Sequence, residues 1–112
     1  MVQLSRRLDA TFAAISDPTR RGILERLGRG DASITDLAEG FGMTLTGIKK
    51  HVGILEAAGL LATEKVGRVR HCRLGRRTLK AETDWMEKHQ RMMEAQLDRL
   101  EAFLERNQGD QT

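Results

Sequence analysis

The chain has 112 residues, of which 39% are hydrophobic, with a formal charge of +3 and a single cysteine. That length and apolar content support a modest core in one globular unit, and one cysteine, Cys72, excludes an internal disulfide or a multi-cysteine zinc site within one chain. No run approaches the ~18–20 apolar residues of a membrane span, and the N-terminal stretch turns charged too soon for a signal peptide, so a cytoplasmic protein with no membrane partner is expected.

Three Phe, one Trp and no Tyr leave aliphatic helix packing to supply most of the stability, and a partner subunit would add to it. Leu4, Leu8, Phe12 and Ile15 recur at helical spacing, which predicts an amphipathic first helix ending near Ser16. A second helix opens with Ser16 or Asp17 as cap and Pro18 at its first position. It buries Ile23, Leu24 and Leu27, and Gly28 or Gly30 closes it in a left-handed conformation. Ser33 and Asp36 then form an S-x-x-D start signal for a third helix with an apolar stripe of Ile34, Leu37, Ala38 and Phe41.

Gly42 permits a sharp turn and Thr44 caps a fourth helix, so two short amphipathic helices are joined in a helix-turn-helix outline. Within "TLTGIKKHVGILEAAGLL", Leu45, Ile48, Val52 and Leu55 are the expected core face. Thr46, Lys50, Gly53 and Ala57 project the other way with Lys49 beside them. That surface is low in profile, hydroxylated and basic, which suits something flat and anionic.

After Gly59, "LLATEKVGRVRHCRL" reads as two strands around Gly67-Arg68, a two-residue loop of the type II′ kind. Lys65 to Arg77 holds six basic residues and no acidic one, leaving the other thirteen basic residues against all sixteen acidic ones. The positive charge is therefore a local patch, the footprint of a polyanion-binding surface, although charge runs alone more often mark a solvated hairpin. From Thr78 to Arg106 a helical pattern returns, with Leu79, Met86, Met93 and Leu100 seven apart and Leu97 and Leu104 seven apart. Trp85, Met92 and Phe103 widen this seam, so it suits docking on several neighbours better than a strict two-stranded coiled coil. Five basic against seven acidic residues argue against nucleic-acid contact there and for holding two subunits together. The expected organisation is a DNA-binding domain over 1–77, a dimerisation helix over 78–106 and a disordered tail over 107–112.

The segments "SDPTRRGILERL", "ITDLAEGFGMTLTGIKKHVGILEAAGLL" and "GRVRHCRL" together resemble the ArsR/SmtB family of bacterial winged-helix repressors, in register and in order from about Phe12 to Leu74. The resemblance implies a mainly α winged helix-turn-helix with a small β-hairpin, repression of transcription, a recognition helix in the major groove of double-stranded DNA with wings flanking it, and a homodimer. Its first and last helices would meet at the interface, through Leu4, Leu8, Phe12, Trp85, Met86, Met93, Leu97, Leu100 and Leu104. The chain departs from the family at Ile34-Thr35-Asp36-Leu37, where metal-sensing relatives carry cysteines. Lys49 replaces the usual recognition-helix serine, and an aromatic of the second wing strand is replaced around His71-Cys72. Asp84, Glu87 and His89 are the remaining metal-ligand candidates. Asp84 and His89 lie five residues apart and so turn to different faces; no metal and no cofactor are expected.

The residues expected to meet DNA are Thr44, Thr46, Gly47, Lys49 and Lys50 at the start of the recognition helix, with Lys65, Arg68 and Arg70 on the wing. Two glycines inside one helix cost ~1 kcal/mol each relative to alanine, which favours a surface that something approaches closely over a merely soluble one. Strand alternation sets Arg70 and His71 on opposite faces, so only some basic residues face DNA at once. Arg20 and Arg21 are either phosphate anchors or intramolecular partners, and Arg73, Arg76 and Arg77 pair with carboxylates near the dimer interface as an alternative to DNA. His51 reads as a packed histidine and Cys72 as a buried small hydrophobe. Scattered histidines and the lone cysteine form no nucleophile–base motif, so no catalytic residue is expected. RNA binding, or release by a metal or another ligand at a site not evident in sequence, stays open as an alternative, and the effector is unknown.

Overall fold

The computed structural model describes residues 2–110, with side chains placed for 5–108. Five helices and a small sheet follow in the order α1 (Val2–Ile15), α2 (Pro18–Leu27), β1 (Ala32–Ser33), α3 (Ile34–Gly40), α4 (Leu45–Ala57), β2 (Leu61–Val66), β3 (Val69–Leu74) and α5 (Lys80–Asp110). They divide into two compact units, Met1–Thr78 and Leu79–Thr112. Among the described residues no helix is long and apolar enough to cross a membrane.

Three helices start on side-chain caps that the sequence supplies. Asp17 accepts from the Arg20 N–H ahead of Pro18, Ser33 from Asp36, and Thr44 from Gly47. Each satisfies an amide the first helical turn leaves without a partner, a contribution of ~1 kcal/mol. The end of α1 is closed differently. The Arg20 Nε donates to the Ala14 carbonyl at 2.7 Å, and the Arg21 Nη1 to that of Ile15 at 2.8 Å. Both arginines thus complement the negative end of α1 from within the chain.

Ile23, Leu37, Ile48, Leu55 and Leu61 are the large apolar side chains shut off from solvent, and Cys72 is buried with them. Fully burying each such aliphatic group stabilises the fold by about 1.5–3 kcal/mol. Close packing of α2 on the end of α3 depends on Gly22, because a β-carbon there would stand 2.8 Å from the Phe41 ring. Gly42, at φ +62°, then reverses the chain between α3 and α4, a conformation glycine adopts without steric penalty.

The sheet has three strands in the order β1-β3-β2, all antiparallel. Besides the expected hairpin, Ala32 pairs with Cys72 and Ser33 with His71. Val66 faces Val69 across the two-residue loop, and Gly67 has φ +63° while Arg68 does not have positive φ, as a type II′ turn requires.

Of the two glycines expected at the end of α2, Gly28 stays right-handed at φ −64° and the positive φ falls at Gly30. Three expectations need correcting. Leu45, expected in the core, is 43% exposed, because the first residue of α4 overhangs a cleft shared with α3 and the hairpin. The last helix begins at Lys80 rather than Thr78. It also continues through 107–110, expected to be a tail, since extending an established helix costs little even in a polar stretch. Gln111 and Thr112 lie outside the described residues, as does the Leu4 side chain.

By itself, α5 is a single helix of 31 residues, about 46 Å long. Trp85, Met86, Met93, Leu97, Leu100 and Leu104 are all exposed along it. Leu8 and Phe12 of α1 are half-buried. Asp84 is engaged by Lys80 at 3.1 Å, and His89 stacks on Trp85 with ring centroids 5.2 Å apart.

Candidate nucleic-acid interface

The first two turns of α4 present Thr44, Thr46, Lys49 and Lys50 to solvent, with Gly47 half-buried between them. Thr44 Oγ1 accepts from the Gly47 N–H at 3.1 Å, so one amide of the helix N-terminus is already committed. Thr46, Lys50 and Gly53 share the outward side, opposite Ile48, Val52 and Leu55.

Pairing register sets the wing's side chains. Lys65 is opposite Arg70, and Thr63 opposite the buried Cys72, so Thr63, Lys65, Arg70 and Cys72 share the inner face of the hairpin. Glu64 lies opposite His71 on the outer face, where it also reaches Arg73 at 3.6 Å. Arg68 occupies the tip. The inner face of the wing, the start of α3 and the start of α4 enclose a cleft of about 310 Å³. Lys49, Lys65, Arg68 and Arg70 line it together with Thr35 and the apolar Ile34, Leu45 and Val69.

Four cations in one cleft with no carboxylate in its lining make a strongly positive concavity. Among the described residues, Lys49, Lys50, Lys65, Arg68 and Arg70 enter no ion pair. Several other basic side chains of the unit are committed. Arg20 and Arg21 cap α1, Arg73 pairs with Glu64, and Arg77 donates to the Ala58 carbonyl and to Thr11 Oγ1. The run from Lys65 to Arg77 therefore splits into cations that hold the fold and cations left facing solvent, a distinction the sequence run does not carry.

His51, the residue after Lys50, is half-buried and packs inward. Its Nδ1 stands 3.1 Å from the Arg20 Nη1 and so accepts from that guanidinium, tying α4 to the α1–α2 junction. The Arg20 backbone N–H holds the Asp17 carboxyl below its ordinary pKa, with the Arg20 charge adding to the effect. Burial pushes the Cys72 thiol up, with the nearby Glu56 charge acting in the same direction, so at neutral pH it is a neutral, packed side chain.

The two glycines of α4 differ. A β-carbon at Gly47 would meet Met43 Cε and Thr44 Oγ1, each at 3.2 Å, which gives Gly47 a reason within the chain. One at Gly53 would meet nothing within 4 Å. One residue that spacing did not single out also belongs here. Glu56, in the last turn of α4, accepts from the Thr63 N–H at 3.1 Å and from its hydroxyl at 2.7 Å. A contact across a helix-to-strand turn has no periodic signal that would have revealed it.

Comparison with known proteins gives this geometry a context. Residues 15–64 match a helix-turn-helix domain family. Over 79 residues the chain is 35% identical to the transcriptional repressor SdpR of Bacillus subtilis (strain 168), spanning 70% of this chain and 88% of that protein. Among solved structures it is similar to an ArsR family transcriptional regulator at 39% identity and a TM-score of 0.74, covering 80% of this chain and 93% of the other. An ArsR-like transcriptional regulator from Rhodococcus sp. RHA1 shares 35% identity at a TM-score of 0.65, covering 95% and 94%.

Proposed function

Because the chain belongs to the ArsR/SmtB-type winged helix-turn-helix transcriptional regulators, we propose that it is a homodimeric repressor that binds a near-palindromic duplex through α4 and the wing. The observation that carries this reading is the cleft in which Lys49, Lys65, Arg68 and Arg70 converge without intramolecular ion pairs. In it a sugar-phosphate strand gains charge-assisted contacts from both sides, while Thr46, Lys50 and Gly53 turn toward base edges in the major groove. Arg68 at the hairpin tip is placed to reach the adjacent minor groove or its phosphates. Repression is supported by the name of the Bacillus subtilis relative. A cytoplasmic location follows from the substrate. The second copy is supported by the apolar side chains exposed along α5, a face that docking against the same surface of a partner would dry.

RNA is the less favoured substrate, since the cleft offers cations and aliphatic groups but no aromatic platform on which single-stranded bases stack. Duplexes recovered by the full chain from a randomised pool test the assignment. The expected outcome is two protomers per duplex on half-sites about 34–36 Å apart, displaced by unlabelled cognate duplex and poorly by single-stranded RNA. Equal competition by single-stranded RNA, or saturation at one protomer per duplex, would overturn it.

A further inference from the structure

We propose that Glu56 is a positioning residue for DNA binding, a brace that holds the wing at a fixed spacing from the recognition helix. This rests on the DNA-binding reading above and deepens it. Lys49 and Glu56 are seven residues apart on α4 and therefore lie nearly in line along the helix face that looks toward the wing. Lys49 lines the cleft; Glu56, outside that lining, stands two turns further along α4, about 10.5 Å away. There one carboxylate oxygen accepts both the backbone N–H and the hydroxyl of Thr63. Thr63 is joined in register to Cys72, which is fully buried, so the brace ends where the hairpin is rooted in the core. Two residues beyond Thr63 on the same strand face is Lys65, opposite Arg70, and the hairpin then turns at Gly67-Arg68. Where Thr63 is held, the three wing cations of the cleft are held.

A carboxylate is otherwise a poor choice at this position. It lies in the last turn of a helix, where the backbone dipole already disfavours negative charge, and on a unit whose proposed ligand is a polyanion. The two donors it accepts in one fixed geometry offset these costs. The ion pair of Glu64 with Arg73 lies on the opposite face of the hairpin and does not fix the wing relative to α4.

The test is binding of the wild type, Glu56→Ala, Glu56→Gln, Arg68→Ala and the Glu56→Ala/Arg68→Ala double variant to a duplex recovered from a randomised pool by the wild type. Affinity is read across a salt series, with the melting temperature of each variant recorded. Glu56→Ala is expected to weaken binding and to lower the salt slope by roughly one unit or more, as losing a wing contact does. The Arg68→Ala loss should shrink by at least about threefold in the Glu56→Ala background. Glu56→Gln keeps an oxygen for Thr63 and should restore the wild-type slope. Tighter binding by Glu56→Ala with an unchanged slope would show that Glu56 acts only as a repelling charge, and fully additive losses would show that it does not act through the wing. Either result overturns the brace. Should Glu56→Ala not fold, Thr63→Val removes the hydroxyl bond alone and carries the same cycle: a shrunken Arg68→Ala loss supports the brace, and additive losses overturn it. A wild type that selects no duplex refutes the DNA-binding reading itself; a wild type that binds while Glu56→Ala leaves affinity and slope unchanged refutes the brace alone.

Discussion

Gly53 separates structural from functional demands on α4 more cleanly than any charged residue does. Nothing in the chain approaches within 4 Å of the place its β-carbon would occupy, so the fold has no steric need for glycine there. Gly53→Ala should therefore raise stability by ~1 kcal/mol, read as a shift of the urea midpoint, while weakening duplex binding if the groove wall comes close to the backbone. A variant that is more stable and binds as well as the parent would remove Gly53 from the interface. Gly47 does not allow the same inference, because Met43 and Thr44 already crowd its β-carbon position. Spacing alone made the two glycines equivalent; only the neighbours contributed by the preceding turn tell them apart.

Among the elements, those with strong local signals were legible in the sequence. The caps at Asp17, Ser33 and Thr44 and the turn at Gly67-Arg68 follow from side-chain chemistry within three or four residues. Strand β1 was not legible, since two residues are too few for an alternation pattern and its partner, β3, lies some forty residues on. The exposure of Leu45 was hidden for a related reason: periodicity gives a face, not the point where the helix outruns the elements that cover it. Along α5 the apolar spacing was evident, and the helix carries it as exposed side chains to Leu104. Leu97→Asp alters a residue that is 61% exposed, so it should change the stability of the isolated protomer by no more than about 0.5 kcal/mol. It should nonetheless shift the sedimenting species from dimer to monomer at micromolar concentration. A wild type that sediments as a monomer, or a Leu97→Asp dimer of undiminished strength, would contradict the role proposed for this helix.

For the whole molecule the informative quantity is where charge is left unpaired, since a formal +3 on 112 residues is modest. The basic run was visible in the sequence, but its division was not: Arg73 and Arg77 are held by the chain's own acceptors, whereas Lys65, Arg68 and Arg70 meet Lys49 in one cleft. If that cleft and the outer face of α4 grip duplex DNA, binding must release condensed counterions in proportion to the cations engaged. The most direct measurement is the slope of log affinity against log salt concentration for the wild type, Lys50→Ala and Arg68→Ala on one duplex selected by the wild type. Each variant is expected to bind more weakly and to flatten the slope by roughly one unit. Affinity and slope unchanged in both would contradict the surface assigned to DNA.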